Sequence, residues 1–224
     1  MPIVGFEYHD ASYRLHADPA SHIGRRIIEG RQPYEYPLLE DFYAISRRQH
    51  GRTGAVAVDV GAHIGNHTLW LAAVCGLTVH SFEPDPDTVA ELSRNVILNQ
   101  LTEQVTIHQA ALGAVSGRAE PAGKGVWAKT KKKGEGTVEI RRLDSYKLRG
   151  VRLMKLDIED AEPEALKGAK LTIRRNQPVI YAEARSEAAQ GRLRAVLEPM
   201  GYEHVDTFNG RLVASPVERW EPVS

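Results

Sequence analysis

Five acidic side chains and two glycines carry the chemistry that this sequence offers. The segment Asp59-Val60-Gly61-Ala62-His63-Ile64-Gly65-Asn66 continues the apolar run Val56-Ala57-Val58 and leads into Leu69-Trp70-Leu71-Ala72-Ala73-Val74. That order reads as a buried parallel strand, a tight glycine turn and a helix. The N–H groups that open such a helix lack internal acceptors, and glycine lets a ligand approach the backbone closely. The turn therefore suits a polar or anionic ligand group. One strand later, Leu77 to Phe82 ends at Glu83, 22 positions after Gly61. A carboxylate so placed can accept from both hydroxyls of a ribose. The spacing Asp59-x-Gly61-x-x-x-Gly65 departs from the three-glycine dinucleotide pattern. By itself the turn would pass for a plain strand-helix connection; turn, strand and terminal Glu together point to a nucleoside cofactor.

The other acids close two later strands. Val151 to Leu156 reads as a central strand ending in Asp157-Ile158-Glu159-Asp160, and Pro178 to Ala182 as a strand ending at Glu183. The first and central strands of such a sheet end side by side, so Asp59, Glu83, Asp157 and Glu159 are expected around one crevice. Carboxylates crowded there need hydroxyls, cations or water as partners. A carboxylate can also accept a proton from a nucleophile. Asp157 and Glu159 are the first candidates for a general base, and Glu183 the third.

The elements that hold these groups alternate. Helices are expected over Pro86 to Asn99, Ala161 to Arg174 and Ala188 to Met200, with Val89, Leu92, Val96 and Ile97 of the first turned to the core. Val105 to Gln109 reads as a strand, ending at Ala110-Ala111. Thr137 to Leu143 reads as a strand returning to the sheet. Gly201 to Val205 and Arg211 to Ala214 form a closing hairpin around Asn209-Gly210. The expected fold is α/β: a Rossmann-like, mostly parallel sheet with helices on both faces and an antiparallel hairpin at its C-terminal edge. Residues 1–224 are expected to form one domain, with 1–50 as an N-terminal cap segment and 51–216 as the core. Within the cap, two short strands flank His9-Asp10-Ala11-Ser12, helices cover Ser21 to Gly30 and Leu38 to Gln49, and Tyr34, Glu35 and Tyr36 lie where they can touch a ligand or only anchor the cap. Residues 113–137 are an insertion rich in glycine and lysine. Lys124, Lys129, Lys131, Lys132 and Lys133, with Trp127 among them, make either a solvated hairpin or a substrate loop.

The bulk numbers exclude several classes. The chain has 224 residues, enough for one substantial core, with 42% hydrophobic and 26% charged residues. Its formal net charge is zero, which argues against nucleic acid or an anionic membrane surface as partner. A single cysteine, Cys75, excludes an internal disulfide and reads as core packing. No apolar run approaches a membrane span, no secretory leader is evident, and a cytoplasmic location is the default expectation. No Cys/His cluster has zinc spacing, and no dedicated metal set stands out.

The segment Asp59 to Asn66 resembles the first motif of S-adenosylmethionine (SAM) dependent methyltransferases, in the variant found in the FkbM-like family. Matches follow in order: Phe82-Glu83-Pro84; Ala110-Ala111-Leu112-Gly113; Leu143-Asp144; Met154-Lys155-Leu156-Asp157-Ile158-Glu159-Asp160-Ala161-Glu162; Leu166-Lys167-Gly168-Ala169; and Pro178-Val179-Ile180-Tyr181-Ala182-Glu183. The resemblance as a whole covers roughly residues 25–215. The resemblance implies SAM as cofactor and S-adenosylhomocysteine as product. Asp59, Gly61, Ala62, His63, Gly65 and Asn66 would line its methionine and ribose side, Glu83 with Pro84 the ribose, and Ala111 the adenine. Asp157 would act as base or bind the cofactor ammonium. His63 and His67, at the helix start, could orient substrate, with packing the simpler role for His67. The reaction implied is O-methylation of a hydroxyl on a sugar or other natural product. N-methylation of a peptide or protein side chain is the alternative, and a non-catalytic SAM-binding module is the reading from another class. The acceptor is thus a small molecule or a peptide, with no oligomeric state specified. Asp160 stands where the family usually has Gly, and Asp is among the residues that best tolerate a left-handed backbone. His63 stands where the family often has Asn.

Overall fold

The computed structural model describes residues 1–48, 54–123, 126–129, 137–210 and 212–223. The chain opens with a hairpin, β1 (Ile3–Tyr8) and β2 (Ala11–His16), whose two turn residues His9 and Asp10 both have positive φ. Helix α1 (His22–Gly30) is capped by the Ser21 hydroxyl, and α2 covers Tyr36–Arg48. Then come β3 (Val56–Val60), the short α3 (Asn66–Leu69) continued by a π-turn over Trp70–Val74, β4 (Thr78–Phe82), α4 (Pro86–Leu98) and β5 (Val105–His108). β6 (Ala111–Leu112), β7 (Gly117–Gly123), β8 (Val126–Lys129) and β9 (Val138–Arg141) follow. The chain closes with β10 (Val151–Leu156), α5 (Glu162–Lys167), α6 (Lys170–Asn176), β11 (Val179–Glu183), α7 (Glu187–Leu197), β12 (Tyr202–Phe208) and β13 (Val217–Pro222).

Seven strands form the central sheet in the order β12-β13-β11-β10-β3-β4-β5. The pairs among β11, β10, β3, β4 and β5 are parallel, and β13 runs antiparallel to both its neighbours. The sheet therefore ends in an antiparallel hairpin, with the reversed strand one in from the edge. From β3 the chain winds outward through β4 and β5, then crosses to β10 on the other side. The winding reverses between β3 and β10, the point where ligands bind in open α/β sheets. Alternation along the strands makes two apolar layers. Ala57, Val79 and Leu153 face α1, α2, the π-turn and α4, while Val58, Val60, Met154 and Ile180 face α5, α6 and α7.

Several local expectations are corrected. The closing hairpin uses Val217–Pro222 rather than Arg211 to Ala214. β9 does not return to the central sheet; it joins β6, β7 and β8 in a separate four-stranded sheet. The 113–137 insertion contributes the β7–β8 hairpin to that sheet, and Lys124, Lys131, Lys132 and Lys133 lie outside the described residues. Ala161 to Arg174 is two helices, because the chain breaks at Gly168, where a Cβ would stand 2.1 Å from the Gly113 carbonyl oxygen. Ile97 is 63% exposed, since the buried stripe of α4 runs through Leu92, Asn95 and Val96. Asn95 is fully buried, accepting from His16 N at 2.8 Å and donating to Ile64 O at 2.8 Å, so a polar residue does the anchoring expected of an apolar one. The N-terminal segment packs on the sheet face through Leu38, Leu39, Phe42 and Ile45 of α2, and its 34–35 turn is tied to the glycine turn through Asn66. Cys75 is half-buried, and burial pushes its thiol up to about 12, which leaves it protonated and unreactive.

Candidate functional site

The glycine turn is pinned on its β4 side by three backbone donors. Gly61 N and Ala62 N donate to Phe82 O at 2.9 and 3.1 Å, and His63 N donates to the Glu83 carboxylate at 3.0 Å. Gly61 has φ 77°, and a Cβ there would lie 2.0 Å from the Asp157 carbonyl oxygen, so only glycine lets the turn sit against the end of β10. Gly65, φ 96°, caps α3, and His63 adopts φ 49° between the two. The other Glu83 oxygen accepts from Asp85 N at 3.1 Å. Each carboxylate oxygen keeps a lone pair for a further donor. Burial raises the Glu83 pKa above the usual carboxylate range, and the two backbone donors work against that shift. Pro84 follows, half-buried. Ala111 lies on β6, half-buried beyond the end of β5, and pairs with Ile140 of β9.

Asp59 lies behind the turn, not in the crevice. It is wholly buried, accepts from the Thr68 hydroxyl at 2.7 Å and has Lys155 Nζ 3.2 Å away. The cause is strand parity. Asp59 and Lys155 are register partners on neighbouring parallel strands and point to the same, α2-covered face. Ser81 and Tyr181 occupy the same row, and Tyr181 OH donates to Asp41 on α2 at 2.6 Å. Arg219 on β13 donates to both Asp41 oxygens at 2.8 Å.

Asn66 is likewise turned away from the crevice. Its amide oxygen accepts from Tyr34 N at 3.0 Å and its amide nitrogen donates to Tyr34 O at 2.8 Å, tying the N-terminal segment to the turn. Next to it, His67 Nε2 lies 3.3 Å from a carboxylate oxygen of Glu35, whose other oxygen accepts from Ala214 N at 3.2 Å. Glu35 is buried and held at φ 57°; despite burial its pKa is lowered by the adjoining His67 and by Lys155. His67 and Glu35 thus anchor this segment. Tyr36 instead packs its ring against Tyr8 and Trp70, away from the site.

The remaining acids meet beyond the ends of β10 and β11. Asp157 is 33% exposed, and its only charged partner among the described residues is Lys155, 3.8 Å away. Glu159 and Asp160 both have positive φ, 57° and 70°, so position 160 does require the left-handed backbone that Asp tolerates. Glu162 closes this turn by accepting from Ile158 N at 2.8 Å; burial, then the charges of Asp157 and Asp160, push it up to about 7. Arg185 pairs with Glu159 and, through Nε at 2.9 Å, with Glu183 Oε2. That contact is off the line of a hydrogen bond, so Glu183 Oε2, in a residue only 5% exposed, is left without a hydrogen-bond donor. Burial first, then the negative charges of Asp157 and Glu162, push Glu183 up to about 8, while a hydrogen bond from the Ser215 side chain and the Lys155 cation oppose the rise. No group of three or more His, Cys, Asp or Glu among the described residues has the arrangement of a metal site.

Comparison with known proteins resolves the family. The family model described as the methyltransferase FkbM domain matches residues 59–204. The chain belongs to the FkbM methyltransferase family. Among solved structures, an FkbM methyltransferase from Methylobacillus flagellatus KT superposes with a TM-score of 0.60 at 18% identity, over 91% of this chain and 60% of that one. The chain therefore spans 60% of the length of that relative. Magnesium protoporphyrin IX methyltransferase from Synechocystis PCC 6803, solved with bound SAM, gives 0.57 at 13% identity, over 92% of this chain and 86% of that one. The human methyltransferase 10 domain containing protein gives 0.55 at 13% identity, over 83% and 81%. At these identities the likeness is one of fold, the class I methyltransferase fold. No curated protein matches the sequence. No helix among the described residues is long and apolar enough to cross a membrane.

Sequence reading missed Lys155 and Arg185. Lys155 had a signal: it is a cation between the apolar Met154 and Leu156, late in the strand Val151–Leu156, where an unpaired charge would be prohibitive. Arg185 had none, because its meaning depends on which acids surround it.

Proposed function

We propose that this FkbM-family chain transfers a methyl group from SAM to a hydroxyl of a neutral, polyhydroxylated small molecule such as a sugar. The residues present fit the cofactor. Glu83 keeps a lone pair on each oxygen for the ribose diol. Gly61 and Ala62 bring the backbone to the crevice, and Asp157 offers an open carboxylate to the ammonium. Ala111 borders the place assigned to adenine, and Pro84 follows Glu83 on the ribose side. When bound there, SAM supplies a methyl on a sulfonium, already a good leaving group, so the protein's main task is alignment.

The observation that carries the reading is Glu183. It is a buried carboxylate with an oxygen lacking a donor and a pKa near 8, beside the switch point of the sheet. A hydroxyl donating to Oε2 satisfies that oxygen and passes it a proton as the nucleophile reacts. Arg185 keeps Glu183 and Glu159 together, and Asp157 stays free for the cofactor. Acids outnumber cations at this mouth, which favours a neutral acceptor over a carboxylate or phosphate.

The test is calorimetric titration with SAM, S-adenosylhomocysteine and NAD, followed by assay of S-adenosylhomocysteine formation against sugars, hydroxylated natural products and peptides. Binding of the two sulfur nucleosides and turnover on hydroxyl acceptors supports the reading. Turnover on peptides alone makes the chain an N-methyltransferase, and binding without turnover on any acceptor makes it a binding module.

A further inference from the structure

The glycine turn is held unequally on its two sides. Toward β4 it is fastened by Gly61 N, Ala62 N and His63 N. Toward β10 one backbone bond holds it, from Asp157 N to Val60 O at 3.1 Å, and the side-chain hold among the described residues comes from Lys155, whose Nζ donates to Gly61 O at 2.9 Å and lies 3.5 Å from Val60 O. The same ammonium is 3.2 Å from Asp59 and 3.8 Å from Asp157. The charged and titratable groups that feel it are Asp59 on β3, Asp157 after β10, Glu35 on the 34–35 turn, His63 in the glycine turn itself, Glu83 after β4 and Glu183 at the end of β11. At 3% exposure, such a cation persists only because these partners outweigh its desolvation, and they keep its pKa above the ordinary lysine value.

We propose that Lys155 is a positioning residue for the cofactor: its ammonium, braced by Asp59, fixes the β10 side of the glycine turn and holds the Asp157 carboxylate at the crevice. Asp59 then acts through Lys155, although it does not reach the crevice itself. The proposal rests on the SAM reading above.

Removing the cation alone strands the Asp59 charge, so Lys155→Met is compared with the double variant Asp59→Asn/Lys155→Met, which keeps shape but buries no net charge. Three readouts are taken: melting temperature, affinity for S-adenosylhomocysteine by calorimetry, and the titration of the His63 ring by NMR in cofactor-free protein. The double variant is expected to recover most of the melting temperature lost in Lys155→Met, yet to bind about ten- to hundredfold more weakly than wild type, the worth of one lost charge-assisted hydrogen bond. The Lys155 cation is one cause of the lowered His63 pKa, so that titration is expected to move up in both variants. Affinity that recovers with stability would make Lys155 a structural residue and overturn the proposal. So would an unmoved His63 titration. Wild-type protein that binds no S-adenosylhomocysteine would instead sink the cofactor reading, and the cofactor role of Lys155 with it; the His63 shift in the variants would then mark that failure as one of ligand identity, not of the Lys155 geometry.

Discussion

Glu183→Gln is expected to make the protein more stable and less active at once. With a pKa near 8, Glu183 is ionised in roughly one molecule in ten at pH 7 and nine in ten at pH 9. If it is the base, kcat/KM rises about tenfold across that interval, and the amide, which accepts no proton, lowers turnover by roughly a hundred- to ten-thousandfold and flattens the profile. The stability effect has the opposite sign. The folded pKa is raised, so the wild type is most stable below the unfolded carboxyl value of 4.5 and loses that margin as pH climbs toward 8. At pH 7 the margin lost is at most about 3 kcal/mol, the worth of the rise from 4.5 toward 8. The amide carries no such cost. Its melting temperature should therefore exceed that of wild type by several degrees at pH 7 and match it near pH 4.5, since about 1 kcal/mol moves a domain of this size by roughly 2–4 °C. Thermal melts and S-adenosylhomocysteine release, both followed from pH 4.5 to 9, read the two effects together. A variant that is not stabilised at pH 7, or that keeps the wild-type pH profile, would refute the assignment.

Other perturbations follow from the same geometry. Glu83→Gln presents an amide N–H₂ to one of the two backbone donors now held by the carboxylate, and should weaken S-adenosylhomocysteine binding by about 1–3 kcal/mol; affinity unchanged on calorimetry would remove Glu83 from the cofactor site. Asn66→Ala strips Tyr34 of both backbone partners, at a cost of about 1–3 kcal/mol, and hydrogen exchange over residues 22–36 should accelerate more than in the sheet strands. Asp160→Gly should be nearly neutral in a melt, because the relieved left-handed strain offsets a largely exposed pair with Arg192, whereas Asp160→Val should cost about 1–2 kcal/mol; equal effects would mean that φ 70° is not what the site requires.

From the sequence alone one reads the strand-helix alternation of the core from β3 to β5, the glycine turn and the acids that end β4, β10 and β11, while the ordered motifs carry the family. These are local signals, legible because apolar periodicity and turn chemistry act over a few neighbouring residues. The left-handed Asp160 was anticipated from the family resemblance, which implies a glycine at that position. Which side chain meets which is set by the folded chain. Asp59 and Glu83 read alike in the chain, yet strand parity buries the first against Lys155, 96 positions on, while the second turns back to His63. Asn66 gives its amide to Tyr34, and Glu183 meets Glu159 through Arg185. Ile97 looked like core and faces water, because the buried stripe of α4 falls on Asn95. β9 joined a second sheet, since pairing depends on partners brought together by folding. Contacts of this kind depend on register and on the packing of distant segments, which no pattern within a short window encodes.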